Sequence, residues 1–234
     1  MTARREHSGK ADPRDLPIYA ISQAARYLRL PQTTLRSWIL GRRFPRLDGT
    51  GFSEPLIQKP DPSDERLSFT NLIEAHVLHA LRVKHGIAMK AVREALDYAQ
   101  REFHIDRLLV RQELRAAPGE LFLSEYGRLL SLSPAGQFAM ERVLEAYLER
   151  VARDTEGLPF RLYPFTSPDA SKDQRVVAID PRISFGRPVI ARKGISTSIL
   201  AERLNAGETV RELAYDYDLD EEEVAEAIIY ERAA

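Results

Sequence analysis

Gln32, Thr33, Arg36 and Ser37 fall on one side of a short predicted helix, opposite Leu35 and Ile39, and Arg42 and Arg43 follow directly after it. This set suits DNA. Gln and Arg can each make paired hydrogen bonds to base edges in the major groove, while Thr and Ser can also reach phosphates. Arginines just past such a helix meet the phosphate backbone, which sets affinity and salt dependence but carries no sequence information. Trp38, the single tryptophan, fits two roles: a core anchor whose N–H needs a partner, or a phosphate contact.

Other chemistry finds little support. There is no cysteine, which removes disulfides, thiolate catalysis and cysteine-held metals. His76 and His79 stand three apart on a predicted helix and His85 follows, but no acidic third ligand sits at a metal-binding offset. Ser37, Ser124 and Ser133 lack the frame of a nucleophilic serine. No glycine-rich phosphate loop occurs. Asp216, Asp218 and Asp220 alternate like ligands but lack the central Gly and closing Glu of a calcium loop. No catalytic residue, cofactor or metal is therefore expected, and the protein is expected to work by binding.

The elements that must carry the front residues form a helix-turn-helix outline. Ser22 is placed to cap a helix running to Leu28. Pro31 opens the next, where its missing N–H costs nothing, and Gly41 ends it. Residues 42–67 are rich in Pro, Gly and Asp and read as a loop or β-hairpin. Ile73, Val77 and Leu81 then define a helix from near Thr70, with Gly86 as its stop. Met89, Val92, Leu96, Ala99 and Phe103 define another. Residues 116–132 read as a hairpin, with Leu121-Phe122-Leu123 and Leu129-Leu130-Ser131-Leu132 flanking Glu125-Tyr126-Gly127. Ser133-Pro134 opens a long helix striped by Met140, Leu144, Tyr147 and Val151, ended by Gly157-Leu158-Pro159. Residues 161–165 look extended, and the polar residues 167–173 mark a boundary.

The last unit is expected to hold strands near residues 176–179 and 188–190, then helices near residues 198–205, 210–217 and 221–232. Thr209 with Glu212 spells a capping box, and Asp220 with Glu223 repeats the spacing. The expected fold class is α+β, mostly α. Residues 1–17 are a flexible tail, 18–115 the DNA-binding unit, 116–173 a connecting region and 174–234 a strand and three-helix unit. With 234 residues, 44% of them hydrophobic, a sizeable core can form. No apolar run is long enough to span a membrane and no signal peptide is visible, so a cytoplasmic location is expected.

Charge divides the chain. Residues 1–115 hold 20 basic and 14 acidic side chains, a net of +6; residues 116–234 hold 14 and 21, a net of −7. A basic front and an acidic back suggest different partners. The final three helices resemble a second helix-turn-helix, yet residues 202–234 hold 11 acidic and 3 basic side chains, a net of −8. That surface repels phosphate and suits protein contact better. Glu221-Glu222-Glu223 are read more simply as carboxylates favoured at a helix N-terminus.

Two resemblances follow from particular residues. Tyr19-Ala20-Ile21-Ser22-Gln23-Ala24-Ala25, Thr34-Leu35-Arg36-Ser37-Trp38 and Leu67-Ser68-Phe69-Thr70, with a helix pair split at Lys84-His85-Gly86-Ile87-Ala88, resemble the MerR-type winged helix. The likeness covers residues 18–103 and implies that Gln32, Thr33 and Arg36 face DNA. The chain departs from that family in its longer, proline-rich wing and in lacking a long coiled coil after Phe103. Further on, Asp180-Pro181-Arg182-Ile183-Ser184-Phe185-Gly186-Arg187-Pro188-Val189-Ile190 resembles a small bacterial domain of formerly unknown function, whose later signals match Ala206-Gly207-Glu208-Thr209, Tyr217-Asp218-Leu219 and Ala227-Ile228-Ile229-Tyr230. Arg192-Lys193-Gly194 replaces that family's usual Gly-Thr-Arg. The combination resembles the longer VapB-type antitoxins of actinobacteria. It implies two partners, operator DNA and a PIN-type ribonuclease toxin, and symmetric half-sites imply a homodimer. Two other readings stay open: a stand-alone transcription regulator whose middle region senses a small molecule, and a protein-interaction adaptor that does not bind DNA.

Overall fold

The computed structural model of the chain describes residues 12–46, 49–82, 89–129, 133–166 and 175–233. Within them the order is α1 (Ile21–Tyr27), α2 (Gln32–Leu40), β1 (Arg42–Arg46), β2 (Gly49–Ser53), α3 (Phe69–Arg82), α4 (Met89–Phe103), α5 (Ala117–Leu129), α6 (Pro134–Leu148), β3 (Val151–Arg153), β4 (Pro159–Leu162), β5 (Val177–Ala178), β6 (Val189–Ile190), α7 (Thr197–Asn205), α8 (Val210–Tyr217) and α9 (Glu221–Ala233). The strands pair as three antiparallel two-stranded ribbons, β1–β2, β3–β4 and β5–β6. The protein is thus α+β and mostly α.

Helix α3 is the axis of the larger core. All its side chains from Phe69 to Leu78 are buried, as expected for a helix enclosed by neighbours. Its polar members all find partners, as buried polar groups must. Asn71 donates to Glu74 at 3.0 Å and to the Gln58 carbonyl at 2.8 Å. Glu74 accepts two bonds from Arg107 at 2.9 and 2.8 Å. His76 donates through Nε2 to the Tyr147 carbonyl at 3.0 Å. Burial drives the His76 pKa down to about 3; the Tyr147 bond opposes that shift, while His79 and Arg150 add to it. His76 is therefore a neutral core residue, and the described residues contain no cluster able to hold a metal.

A smaller core gathers Ile190, Leu200, Leu213, Leu219, Val224, Ala227 and Ile228 in the C-terminal unit. Ile179, which follows β5, belongs to the larger core and exchanges N–H···O bonds with Leu162 of β4 at 2.9 and 2.8 Å, while β5 itself pairs with β6, whose Ile190 belongs to the smaller core. The capping box opening α8 is formed, with Thr209 accepting from Glu212 N and Glu212 reaching back to Thr209 N at 2.8 Å. At α9 the returning Glu223 carboxylate accepts from Asp220 N at 3.0 Å.

Several expectations need correction. Residues 117–129 are a helix, not the arm of a hairpin. Pro118 falls in its first turn, where a missing N–H is harmless, and Phe122 supplies its fully buried contact. Ser22 is not a cap: α1 begins at Ile21 with Ala20 as its N-cap residue. Val151 belongs to β3, because α6 stops at Leu148 and the chain turns back through Gly157 into β4. Phe103 ends its stripe 38% exposed. The tail is fixed from Asp12 onward: Arg14 pairs with Asp12 and Asp154, both at 2.7 Å, and its carbonyl accepts from Thr70 N at 3.0 Å. The expected tail up to residue 11, the Gly86 stop and the boundary at residues 167–173 lie outside the described residues.

Candidate nucleic-acid interface

The interface is built on α1 and α2. Ile21, Ala24, Ala25 and Tyr27 bury one side of α1, and Thr34, Leu35, Trp38 and Ile39 bury one side of α2. The turn between them is closed by Leu30 N bonding to the Ala25 carbonyl at 2.9 Å, with Arg29 in the left-handed region at φ 53°. Burial of the Leu35 and Ile39 side leaves Gln32, Thr33 and Arg36 exposed. Ser37 is half-buried, and its hydroxyl donates to the Thr34 carbonyl at 2.7 Å, so its proton is already committed to the helix.

Trp38 is 1% exposed and belongs to the core, which rules out a phosphate contact. Its buried indole N–H finds no hydrogen-bond partner among the described residues, so the expected satisfied anchor is only half realised. Its backbone carbonyl, left over at the end of α2, accepts from Leu56 N at 2.8 Å and Ile57 N at 3.0 Å. Those bonds return the chain to the helix after the β1–β2 ribbon, which forms a wing beside it. Gly41 makes the departure possible. Its φ of 75° suits glycine, and a Cβ there would lie 2.5 Å from both the Phe52 ring and the Ser53 carbonyl.

Within the wing, Arg43 lies opposite Phe52 and Arg42 opposite Ser53. Arg42 and Arg43 are exposed and Phe52 is 51% exposed. Arg93 of α4 braces the base of the ribbon by donating to Ser53 Oγ at 3.5 Å and to the Glu54 carbonyl. The structure therefore brings Gln32, Thr33, Arg36, Arg42 and Arg43 to the surface along one helix and its wing. Ser37 is the member drawn inward.

Two features escaped the sequence. Glu65, in the segment before α3, sits 3.8 Å from the Arg36 guanidinium. Both side chains are more than half exposed, so the pair is weak and readily exchanged. The second is the docking of α9 against α1. Tyr230, fully buried, donates its hydroxyl to the Tyr27 carbonyl at 2.9 Å. Glu231 stands 3.6 Å from Arg26, and the Arg29 guanidinium lies 5.6 Å from the Tyr230 ring centre. Nothing local in either segment announces these contacts, which join residues about 200 positions apart.

Comparison with known proteins agrees with this layout. Residues 17–96 match the family described as "Putative DNA-binding HTH domain". Residues 177–230 match the family described as "Protein of unknown function (DUF433)". Across 230 residues the chain is 28% identical to a protein named "Putative antitoxin VapB45" from Mycobacterium tuberculosis H37Rv, covering 92% of this chain and 93% of that one. The crystal structure of Rv2018 from Mycobacterium tuberculosis superposes with a TM-score of 0.65 at 25% identity, over 92% of this chain and 98% of that one.

Proposed function

We infer, from a chain that fits the plan of a long VapB-like antitoxin, that this protein is the antitoxin of a type II toxin–antitoxin pair. Its winged helix-turn-helix binds the operator of its own operon, with Gln32, Thr33 and Arg36 toward bases and Arg42 and Arg43 toward phosphates. Its remaining surface holds a PIN-domain ribonuclease and blocks it by covering its site. It acts by binding alone, in the cytoplasm, as a dimer on symmetric half-sites.

The observation that carries this reading is the exposed side of α2. Gln32, Thr33 and Arg36 have no part in the core, while the opposite side of the same helix is buried. The wing adds cations beside it. The full-length likeness to a protein named as an antitoxin supports the toxin partner.

Two measurements test it together: co-purification of the chain with the product of the adjacent gene, and a mobility-shift titration on the DNA upstream of the operon. Binding to both supports the antitoxin. Binding to DNA alone favours the stand-alone regulator. That second reading draws on one observation, a cleft of about 320 Å³ between α5 and α6 lined by Leu123, Leu144, Leu148, Glu145 and Arg115. Its size falls at the lower end of small-ligand sites, which run from about 300 to 1,000 Å³.

A further inference from the structure

The C-terminal unit is acidic except along one stretch. Residues 181–201 carry Arg182, Arg187, Arg192 and Lys193 and no carboxylate. Arg192 and Lys193 are already paired with Glu223 and Asp218. At the start of the same stretch the backbone is left-handed at three successive residues, Ser184 (φ 49°), Phe185 (φ 55°) and Gly186 (φ 72°). Only glycine adopts that region freely, so such a loop persists only when its surroundings dictate it.

The surroundings do dictate it. Ile183 N bonds to the Asp180 carbonyl, Gly186 N to the Ile183 carbonyl and Arg187 N to the Ser184 carbonyl, at 2.9, 2.9 and 3.1 Å. Asp180, fully buried, accepts from the Arg182 backbone and side chain. Gly186 presses on the winged helix: a Cβ there would lie 2.1 Å from the Tyr19 hydroxyl. This rigid loop holds out Phe185, which is 89% exposed and adds nothing to either core. The neighbouring Arg187 guanidinium is exposed and makes no hydrogen bond or ion pair among the described residues.

We propose that the loop at residues 182–187 is a protein-docking site, with Phe185 as its anchor and Arg187 as its charged flank. Its occupant is the PIN-type ribonuclease, which receives the ring in an apolar pocket edged by carboxylates. This rests on the antitoxin reading above. Aromatic and arginine side chains dominate interface energetics, and a loop already fixed in shape loses little freedom on binding. A nucleobase could also stack on Phe185, but the helices sharing this unit carry a net charge of −8 over residues 202–234 and repel a polyanion.

The test titrates the full chain, Phe185→Ala and Arg187→Glu against the purified ribonuclease from the adjacent gene by calorimetry. Phe185→Ala is expected to raise Kd about 30-fold or more, and Arg187→Glu about tenfold with a weaker salt dependence. Both should keep the parent's operator affinity and melting temperature, since neither side chain is part of the core. An unchanged Kd for Phe185→Ala overturns the docking site and leaves the antitoxin reading standing. A ribonuclease that ignores the parent chain overturns both. If Phe185→Ala instead loses binding to a single-stranded oligonucleotide while holding the ribonuclease normally, the occupant is nucleic acid and the proposal falls.

Discussion

Arg36 is the sharpest point at which to test the interface. Its side chain is 55% exposed, and its one ion pair among the described residues is with Glu65 at 3.8 Å. Removing it cannot disturb the core, so Arg36→Ala should leave the fold intact while weakening operator binding by about 1–3 kcal/mol, the range for an arginine that reads a base. That corresponds to roughly 5- to 150-fold in Kd. Glu65 gives the argument a second, opposite sign. A carboxylate about 4 Å from a cation interacts by about 1 kcal/mol in water, and DNA must displace it. Glu65→Gln should therefore tighten operator binding by up to about fivefold. In an Arg36→Ala background most of that gain should vanish, leaving only relief of repulsion between Glu65 and phosphates. Arg43→Ala behaves differently: it weakens all sequences alike and lowers the salt slope by about one. Mobility shifts on operator and scrambled DNA at two salt concentrations separate these outcomes. Parent-like affinity for Arg36→Ala would show that α2 is not the reading element, and a Glu65→Gln effect of equal size with and without Arg36 would show that the pair is irrelevant to binding.

Tyr230→Phe removes the hydroxyl that serves the Tyr27 carbonyl and should destabilise the protein by about 1–3 kcal/mol, seen as a lower urea midpoint; an unchanged midpoint would mean that α9 does not share a cooperative unit with α1. Thr209→Ala deletes the capping box of α8 and should cost about 1 kcal/mol, a drop of about 2–4 °C in Tm by scanning calorimetry, with Thr209→Ser restoring the parent value. His76 should make stability fall as pH falls from 6.5 toward about 3, because the unfolded chain takes up a proton that the buried ring refuses. Above pH 6.5 the ring is neutral in both states and this effect is absent; below it the loss runs at about 1.4 kcal/mol per pH unit. His76→Gln keeps an N–H donor and should flatten melting curves between pH 7 and 5; an equal acid loss in that variant would assign the effect to other groups.

Elements with a clean period were legible in the sequence. The residues at steps of three and four in α4 bounded it at Met89–Phe103, and the Thr209 and Glu212 signature located the start of α8. Residues 117–129 failed for a physical reason. Leu121-Phe122-Leu123 is a continuous apolar run, and such runs do not distinguish a strand from a helix with one buried face. Nearby Gly127 then suggested a turn that the surrounding helix simply absorbs. Ser22 misled because a capping hydroxyl one residue inside a helix looks the same in sequence as one at its edge. At the site, Leu35 and Ile39 defined the buried side of α2, so the exposure of Gln32, Thr33 and Arg36 followed. Glu65 was out of reach, because its approach to Arg36 depends on how the chain returns from the wing to Trp38.

The charge division along the chain takes on meaning in the way the two ends meet. An acidic unit close to a DNA-binding helix would oppose phosphates if it lay over the exposed residues. Among the described residues its side-chain contacts in this region go instead to Tyr19, Arg26, Tyr27 and Arg29, on α1 and beside it. Glu231 is itself met by Arg26 and by the Thr197 hydroxyl, which offsets part of the local negative charge. The C-terminal unit thus holds α1 and leaves the exposed side of α2 open. It does so at two places, through Tyr230 on Tyr27 and through Gly186 on Tyr19, the residues at the end and just before the start of α1. A partner whose binding shifted either contact, and through α1 the position of α2, would be coupled to whatever α2 binds. Linkage then requires DNA to alter that partner's affinity by the same factor. Coupling between sites of this kind typically amounts to about 1–3 kcal/mol, enough to change occupancy but not to abolish it.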